Sequence, residues 1–104
     1  MRKLPIKEKY IQKAILDYLE FRGFFHWRNN SGATKTEKGG FIRFGAVGSP
    51  DIFVIREGVC YGIEVKNEKG KQSEGQVAFE KNFTRAGGVY FVARSLDEFM
   101  RFMR

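Results

Sequence analysis

Apolar positions recur at helical spacing near the start of the chain. Ile6, Tyr10, Ile11, Ala14, Ile15, Tyr18 and Leu19 fall on one face, and Gly23 closes the run. Pro5 suits the first turn of that helix. Phe24 to Arg28 then reads as a short strand, placing His26 and Trp27 at strand or core positions. From Asn29 to Gly40 the composition turns to Asn, Ser, Gly, Thr and Lys, which predicts a mobile loop. Phe41 to Phe44 follows as a brief extended segment. Asp51 to Arg56 and Val59 to Lys66 are β-rich runs, and the Glu57-Gly58 between them fits a tight hairpin turn. Ser73 with Gln76 has the form of a capping box and opens a helix to about Ala86. After Gly87-Gly88, Val89 to Ala93 reads as a strand. Ser95 and Glu98 cap a last short helix carrying Leu96, Phe99, Met100 and Met103. This order predicts a single α/β domain over residues 1–104, with a central mixed β-sheet flanked by helices. No internal repeat interrupts it, and 104 residues leave room for one modest core.

The hairpin carries the chemistry. With a two-residue loop at Glu57-Gly58, Arg56 faces Val59, Val54 faces Tyr61, Ile52 faces Ile63 and Asp51 faces Glu64. Side chains opposed in this way share a sheet face, with Cβ atoms about 4.5–5.5 Å apart. Alternation adds Lys66 to the face of Glu64, while Val59, Tyr61, Ile63 and Val65 form the core side. Facing carboxylates repel, so the Asp51–Glu64 pair calls for a cation. Lys66 supplies one charge, and Mg²⁺ or Mn²⁺ on hard oxygen ligands would supply two more, with the Ile63 carbonyl a candidate third ligand. Phosphodiester hydrolysis uses such a cluster: the ion polarises the phosphoryl oxygen and activates water, and Lys66 stabilises the transition state. An arbitrary E-x-K would be an ordinary surface pair. An acid directly after Pro50, at the head of the apolar run Ile52-Phe53-Val54-Ile55, is not explained that way.

Charge agrees with a polyanionic partner. Nineteen Lys and Arg against 12 Asp and Glu give a formal charge of +7, which favours salt-sensitive binding to nucleic acid. Arg28, Asn29, Lys35, Lys38 and Arg43 flank or occupy the Gly-containing loop and are candidate phosphate contacts, as are Lys69 and Lys71 on the other side. The single cysteine, Cys60, is expected as a small buried side chain and allows no internal disulfide or cysteine zinc site. No apolar run resembles a signal peptide or a membrane span, so an intracellular setting is the expectation, with no membrane partner and no small-molecule cofactor.

Pro50-Asp51 followed by Glu64-Val65-Lys66 resembles the PD-(D/E)xK nuclease superfamily. The ordered set Trp27-Arg28-Asn29-Asn30-Ser31-Gly32, Gly48-Ser49-Pro50-Asp51, Ile63-Glu64-Val65-Lys66, Gly70-Lys71-Gln72-Ser73 and Gln76 is similar to the virus-type replication-repair nuclease (VRR-Nuc) family. The similarity runs roughly from Glu8 to Ser95. It implies a restriction-endonuclease-like core, metal binding by Asp51 and Glu64, and catalysis by Lys66. It also implies a helix-one acid, carried to Glu8 in preference to Glu20, and a glutamine matching Gln76, which the spacing alone also explains as the capping partner of Ser73. Small stand-alone members of that family resemble symmetric dimers that cut branched DNA, including four-way (Holliday) junctions. The corresponding expectation is an Mg²⁺- or Mn²⁺-dependent homodimeric DNA endonuclease. Flap, nick or duplex cutting, and a non-catalytic DNA-binding module, are the alternatives.

Overall fold

The computed structural model describes residues 4–30 and 32–104, with the backbone alone for residues 33, 34 and 42–44. Ser31 and the Arg43 side chain, both named above, lie outside what it describes. Helix α1 spans Glu8–Arg22 and ends at Gly23, whose left-handed φ of 73° lets its N–H turn back to the Glu20 carbonyl. Pro5 precedes this helix and is not in its first turn: Lys7, in extended conformation, is the N-cap. Glu8 thereby becomes the first helical residue, where the unpaired N–H groups favour an acid. Ile11, Ile15 and Leu19 are the buried positions of α1. Ile6 falls outside the helix and Tyr10 is exposed, so the inward stripe is narrower than the apolar pattern.

The strands are β1 (Phe25–Arg28), β2 (Gly32–Lys35), β3 (Phe41–Phe44), β4 (Ile52–Arg56), β5 (Val59–Val65) and β6 (Val89–Ala93). Helix α2 (Glu74–Arg85) joins β5 to β6, and α3 (Leu96–Phe102) closes the chain. The main sheet has the order β1-β4-β5-β6. Its β1–β4 and β4–β5 pairs are antiparallel and its β5–β6 pair is parallel, which makes it mixed. The parallel pair requires a crossover, and α2 provides it.

The stretch expected as a mobile loop contains β2, which pairs with β3 as a separate two-stranded sheet. Main-chain pairing builds this hairpin without the alternating apolar pattern by which a strand is read from sequence. Thr36 closes its loop: its N–H donates to the Gly40 carbonyl at 2.8 Å, and its Oγ1 accepts from the Gly40 N–H at 3.0 Å. Lys35 and Lys38 are exposed on this arm.

One face of the main sheet packs on α1 and α3. The core there is Ile11, Ile15, Leu19, Ile52, Val54, Ile63, Val65, Ala93, Phe99 and Met103. The other face meets α2, where the Phe83 ring lies 5.9 Å from Phe53 and stacks on Phe79 at 5.6 Å. Trp27 is 42% exposed and not a core residue. It sits on an edge strand, and its ring is covered on one side by Phe53 at 5.3 Å. Among the described residues no helix is long and apolar enough to cross a membrane.

This distribution predicts unequal penalties for truncation. Phe99→Ala should lower the unfolding free energy by about 3–5 kcal/mol. Phe25→Ala, on the exposed edge, should change it by roughly 0.5 kcal/mol or less. Urea denaturation of the two variants measures both.

Candidate active site

Four residues bring the chain to the head of β4. Gly48 has φ 76°, and a Cβ there would lie 2.2 Å from the Gly75 carbonyl oxygen at the start of α2. Both the backbone conformation and the close approach therefore require glycine. The fully buried Pro50 packs its ring against Gly62 of β5, where a Cβ would come within 3.0 Å of Pro50 Cγ. Asn29 secures this segment from β1. Its Nδ2 donates to Ser49 Oγ at 2.7 Å and to the Pro50 carbonyl at 2.9 Å, and its N–H donates to the Asp51 carbonyl at 2.7 Å. Both amide hydrogens of Asn29, a candidate phosphate contact, are engaged by Ser49 and Pro50, the two residues that lead into Asp51.

The Glu57-Gly58 turn has φ 52° and 79°, the positive pair of a primed hairpin turn. Arg56 faces Val59 and Ile52 faces Ile63, so the register is the one counted from the sequence. One step further, Asp51 lies opposite Glu64, and Asp51 Oδ2 accepts a hydrogen bond from the Val65 N–H at 2.7 Å. The Asp51 carbonyl accepts from Asn29 on the β1 side, and Ile52 pairs with Ile63 across β4 and β5. Val65, not Ile63, lines the cavity beside Asp51.

Glu64 is 2% exposed, and its Oε2 is buried without a hydrogen-bond partner among the described residues. Burial pushes its carboxyl up to about 9. A hydrogen bond and the negative charge from Asp51 add to the rise, Lys66 opposes it, and Glu8 adds a little more. Lys66 is half-buried and forms no ion pair among the described residues, where the pair found is Lys13–Asp17 on the surface of α1. Glu8 reaches the same place from α1 and lines a cavity of about 220 Å³ with Lys9, Gln12, Arg28, Asp51 and Val65.

Among the described residues, no three Asp, Glu, His or Cys side chains gather closely enough to enclose a metal ion alone. The donor set is the Asp51–Glu64 pair, with Glu8 across the cavity. That pair nevertheless fits a hard divalent cation: a buried carboxylate oxygen has no partner among the described residues, and a second carboxylate stands next to it. Gln76 is placed otherwise. Its Oε1 accepts from the Ser73 N–H at 2.8 Å while Ser73 Oγ accepts from the Gln76 N–H at 3.2 Å, so it completes the capping box. Lys69 and Lys71 are exposed beyond β5, and Arg28 is exposed at the end of β1. His26 is half-buried on β1, its Nδ1 within hydrogen-bonding distance of the Phe24 carbonyl. Cys60 is half-buried.

Lys9, Gln12 and Tyr90 are neighbours of the site that sequence reasoning passed over. Gln12 could have been found by counting one helical turn from Glu8. Tyr90 faces Gly62 across the β5–β6 pair and so shares the Glu64 face. Gln72 Nε2 donates to Glu80 Oε1 at 3.0 Å and to the Tyr90 hydroxyl at 3.4 Å. Burial pushes the Tyr90 phenol up to about 12, with Gln72 opposing the rise and the charges of Glu64, Glu80 and Asp51 adding to it.

The Glu64 environment sets a pH dependence. Without a cation the folded chain holds the Glu64 proton up to about pH 9, whereas the unfolded chain releases it near 4.5. Folding thus takes up a proton between these values, and the stability this group contributes falls as the pH rises through them. Glu64→Gln keeps a neutral side chain throughout. In chelator its melting temperature should match the wild type near pH 5 and exceed it increasingly toward pH 8.5. Parallel melting curves would contradict this.

No protein-family model and no curated protein matches the chain. A solved structure described as "VRR_NUC domain" superposes with a TM-score of 0.66, covering 92% of this chain and 92% of its own, at 23% sequence identity. The backbone arrangement is shared while most side chains differ. In fold, this chain is like that VRR_NUC domain: restriction-endonuclease-like, with a mixed sheet and flanking helices around the Asp51–Glu64 pair.

Proposed function

We propose that the chain is a nuclease that hydrolyses DNA phosphodiester bonds with Mg²⁺ or Mn²⁺ at the Asp51–Glu64 pair. The observation that carries this reading is the buried Glu64 Oε2, without a partner among the described residues, beside a second carboxylate at the end of an otherwise apolar hairpin. A structural acid would be exposed or paired. The VRR_NUC-like fold supports the same reading.

Asp51 and Glu64 would hold the ion, with Glu8 contributing negative charge from α1. When bound, the ion supplies Lewis acidity toward the phosphate and a lowered pKa for water in the site. Glu64 would hold the ion as a carboxylate, its proton passing to solvent, because a divalent charge would reverse the effect of burial. Asp51 keeps its orientation through the Val65 N–H. Lys66, on the face of Glu64, offsets charge that develops on the phosphoryl oxygens. Arg28 and Lys9 on the cavity wall present cations to a backbone phosphate, and Gln12 presents a carboxamide.

Lys35 and Lys38 on the β2–β3 arm, with Lys69 and Lys71, extend the positive surface available to DNA. Branched DNA as the preferred substrate, four-way junctions included, and pairing of two copies so that each cuts one strand follow from the family resemblance and isologous symmetry. A catalytic role for Gln76 rests on the family resemblance alone, since its side chain is engaged in capping α2.

Purified chain with Mg²⁺ or Mn²⁺ should cleave a four-way junction in preference to linear duplex, nicked and flap substrates, and should stop when EDTA is added. Asp51→Ala, Glu64→Ala and Lys66→Met should each lower the cleavage rate by roughly a hundredfold or more. Full activity in these variants would remove the proposed site. Salt-sensitive binding without cleavage by the wild type would identify a DNA-binding module instead.

A further inference from the structure

The turn that follows Lys66 is held from a distant part of the chain. Within it, Asn67 Oδ1 accepts from the Lys69 N–H at 3.0 Å and from the Gly70 N–H at 2.8 Å. From the end of β6, Arg94 Nη1 donates to the Asn67 carbonyl at 2.7 Å and to the Gly70 carbonyl at 2.8 Å. The Arg94 guanidinium thus binds two main-chain carbonyls, and it forms no ion pair among the described residues. Next to it, the Ala93 carbonyl accepts from the Lys66 N–H at 3.0 Å. Arg94 itself is half-buried and lines a cavity with Leu4, Pro5, Ile6 and Ile11.

What this turn touches gives the anchoring its meaning. A Cβ added at Gly70 would lie 2.8 Å from Glu8 Oε1, 3.2 Å from Lys66 Cδ and 3.3 Å from Lys66 Cβ. The Gly70 backbone is therefore a floor against which both the Glu8 carboxylate and the Lys66 stem rest. A lysine stem has many rotamers, and a catalytic ammonium must be confined to a few of them. An unanchored turn would leave that floor free to move, and misplacement on the order of 1 Å can reduce a rate about a hundredfold.

We propose that Arg94 is a positioning residue for Lys66 and Glu8, acting through the Asn67–Gly70 turn that its guanidinium ties to the end of β6. The role of Lys66 in hydrolysis rests on the nuclease reading above. The restraint of the turn does not.

Two variants approach the contact from opposite sides. Arg94→Met keeps an apolar stem for the cavity and removes both hydrogen bonds. Gly70→Ala keeps the anchor and pushes on the Glu8 carboxylate, which can swing aside, and on the Lys66 stem at Cβ and Cδ, which must shift by a few tenths of an ångström. Each should lower kcat by roughly tenfold or more with KM for DNA within about twofold, because binding is retained and alignment is lost. Arg94→Lys, which restores part of the anchor, should recover part of the rate. Independently of activity, hydrogen exchange at the Lys69 and Gly70 amides should speed up by roughly tenfold in Arg94→Met, with the β5 amides unchanged. Unchanged exchange would overturn the proposal, whether or not the wild type cleaves DNA. So would a lower melting temperature with wild-type kcat in the folded protein, which is the outcome for an arginine that only stabilises. No cleavage by the wild type, with faster exchange in Arg94→Met, would retain the anchor and reject the nuclease reading.

Discussion

The Glu57-Gly58 turn fixes the register of β4 against β5, and the site exists only in that register. A slip of one residue would turn Ile52, Val54, Ile63 and Val65 away from α1 and bring Asp51, Glu64 and Lys66 into the core. Burial of the apolar side therefore holds the polar side in place. Ile52, Val54 and Ile63 are fully buried, so the free energy that opposes the slip is the free energy of folding itself. The two carboxylates repel each other when both are ionised, and the proton that Glu64 retains lets it hydrogen-bond to Asp51 instead.

The surroundings offset that repulsion in local ways. Asn29 and Pro50 fix the approach to Asp51, and the Val65 N–H takes one of its oxygens. Glu64 has no such partner for Oε2 among the described residues and shifts toward its protonated form. A protein interior tolerates an unmet acceptor when another requirement imposes it, and functional sites are where such exceptions collect. Around this centre the turn after Lys66 and the end of β6 are tied together by Arg94, and α1 delivers Glu8. Elements far apart in sequence thus converge on one end of one hairpin.

Much of this was legible in the amino-acid sequence because it depends on local rules. A two-residue turn dictates pairing by counting, so Asp51 opposite Glu64 needed no tertiary information. Ser73 and Gln76 announced the start of α2, and Gly23 announced the end of α1. The β2–β3 hairpin was not legible, since Gly32–Lys35 carries no alternation and pairs through its main chain. Neither was the exposure of Trp27, which follows from the place of β1 at the edge of the sheet. The inward engagement of Asn29 and the anchoring by Arg94 rest on side-chain bonds to carbonyls about 20 and 25 residues away in sequence, and local patterns are silent at that range.

The central claim is that the Asp51–Glu64 pair is a cation site and not a strained structural pair. Crystals soaked in Mn²⁺ and measured at the manganese absorption edge test it most directly. The account predicts an anomalous peak in contact with the carboxylates of Asp51 and Glu64, absent from Glu64→Gln crystals soaked in the same way. Manganese bound only elsewhere, or a peak that persists in Glu64→Gln, would contradict it.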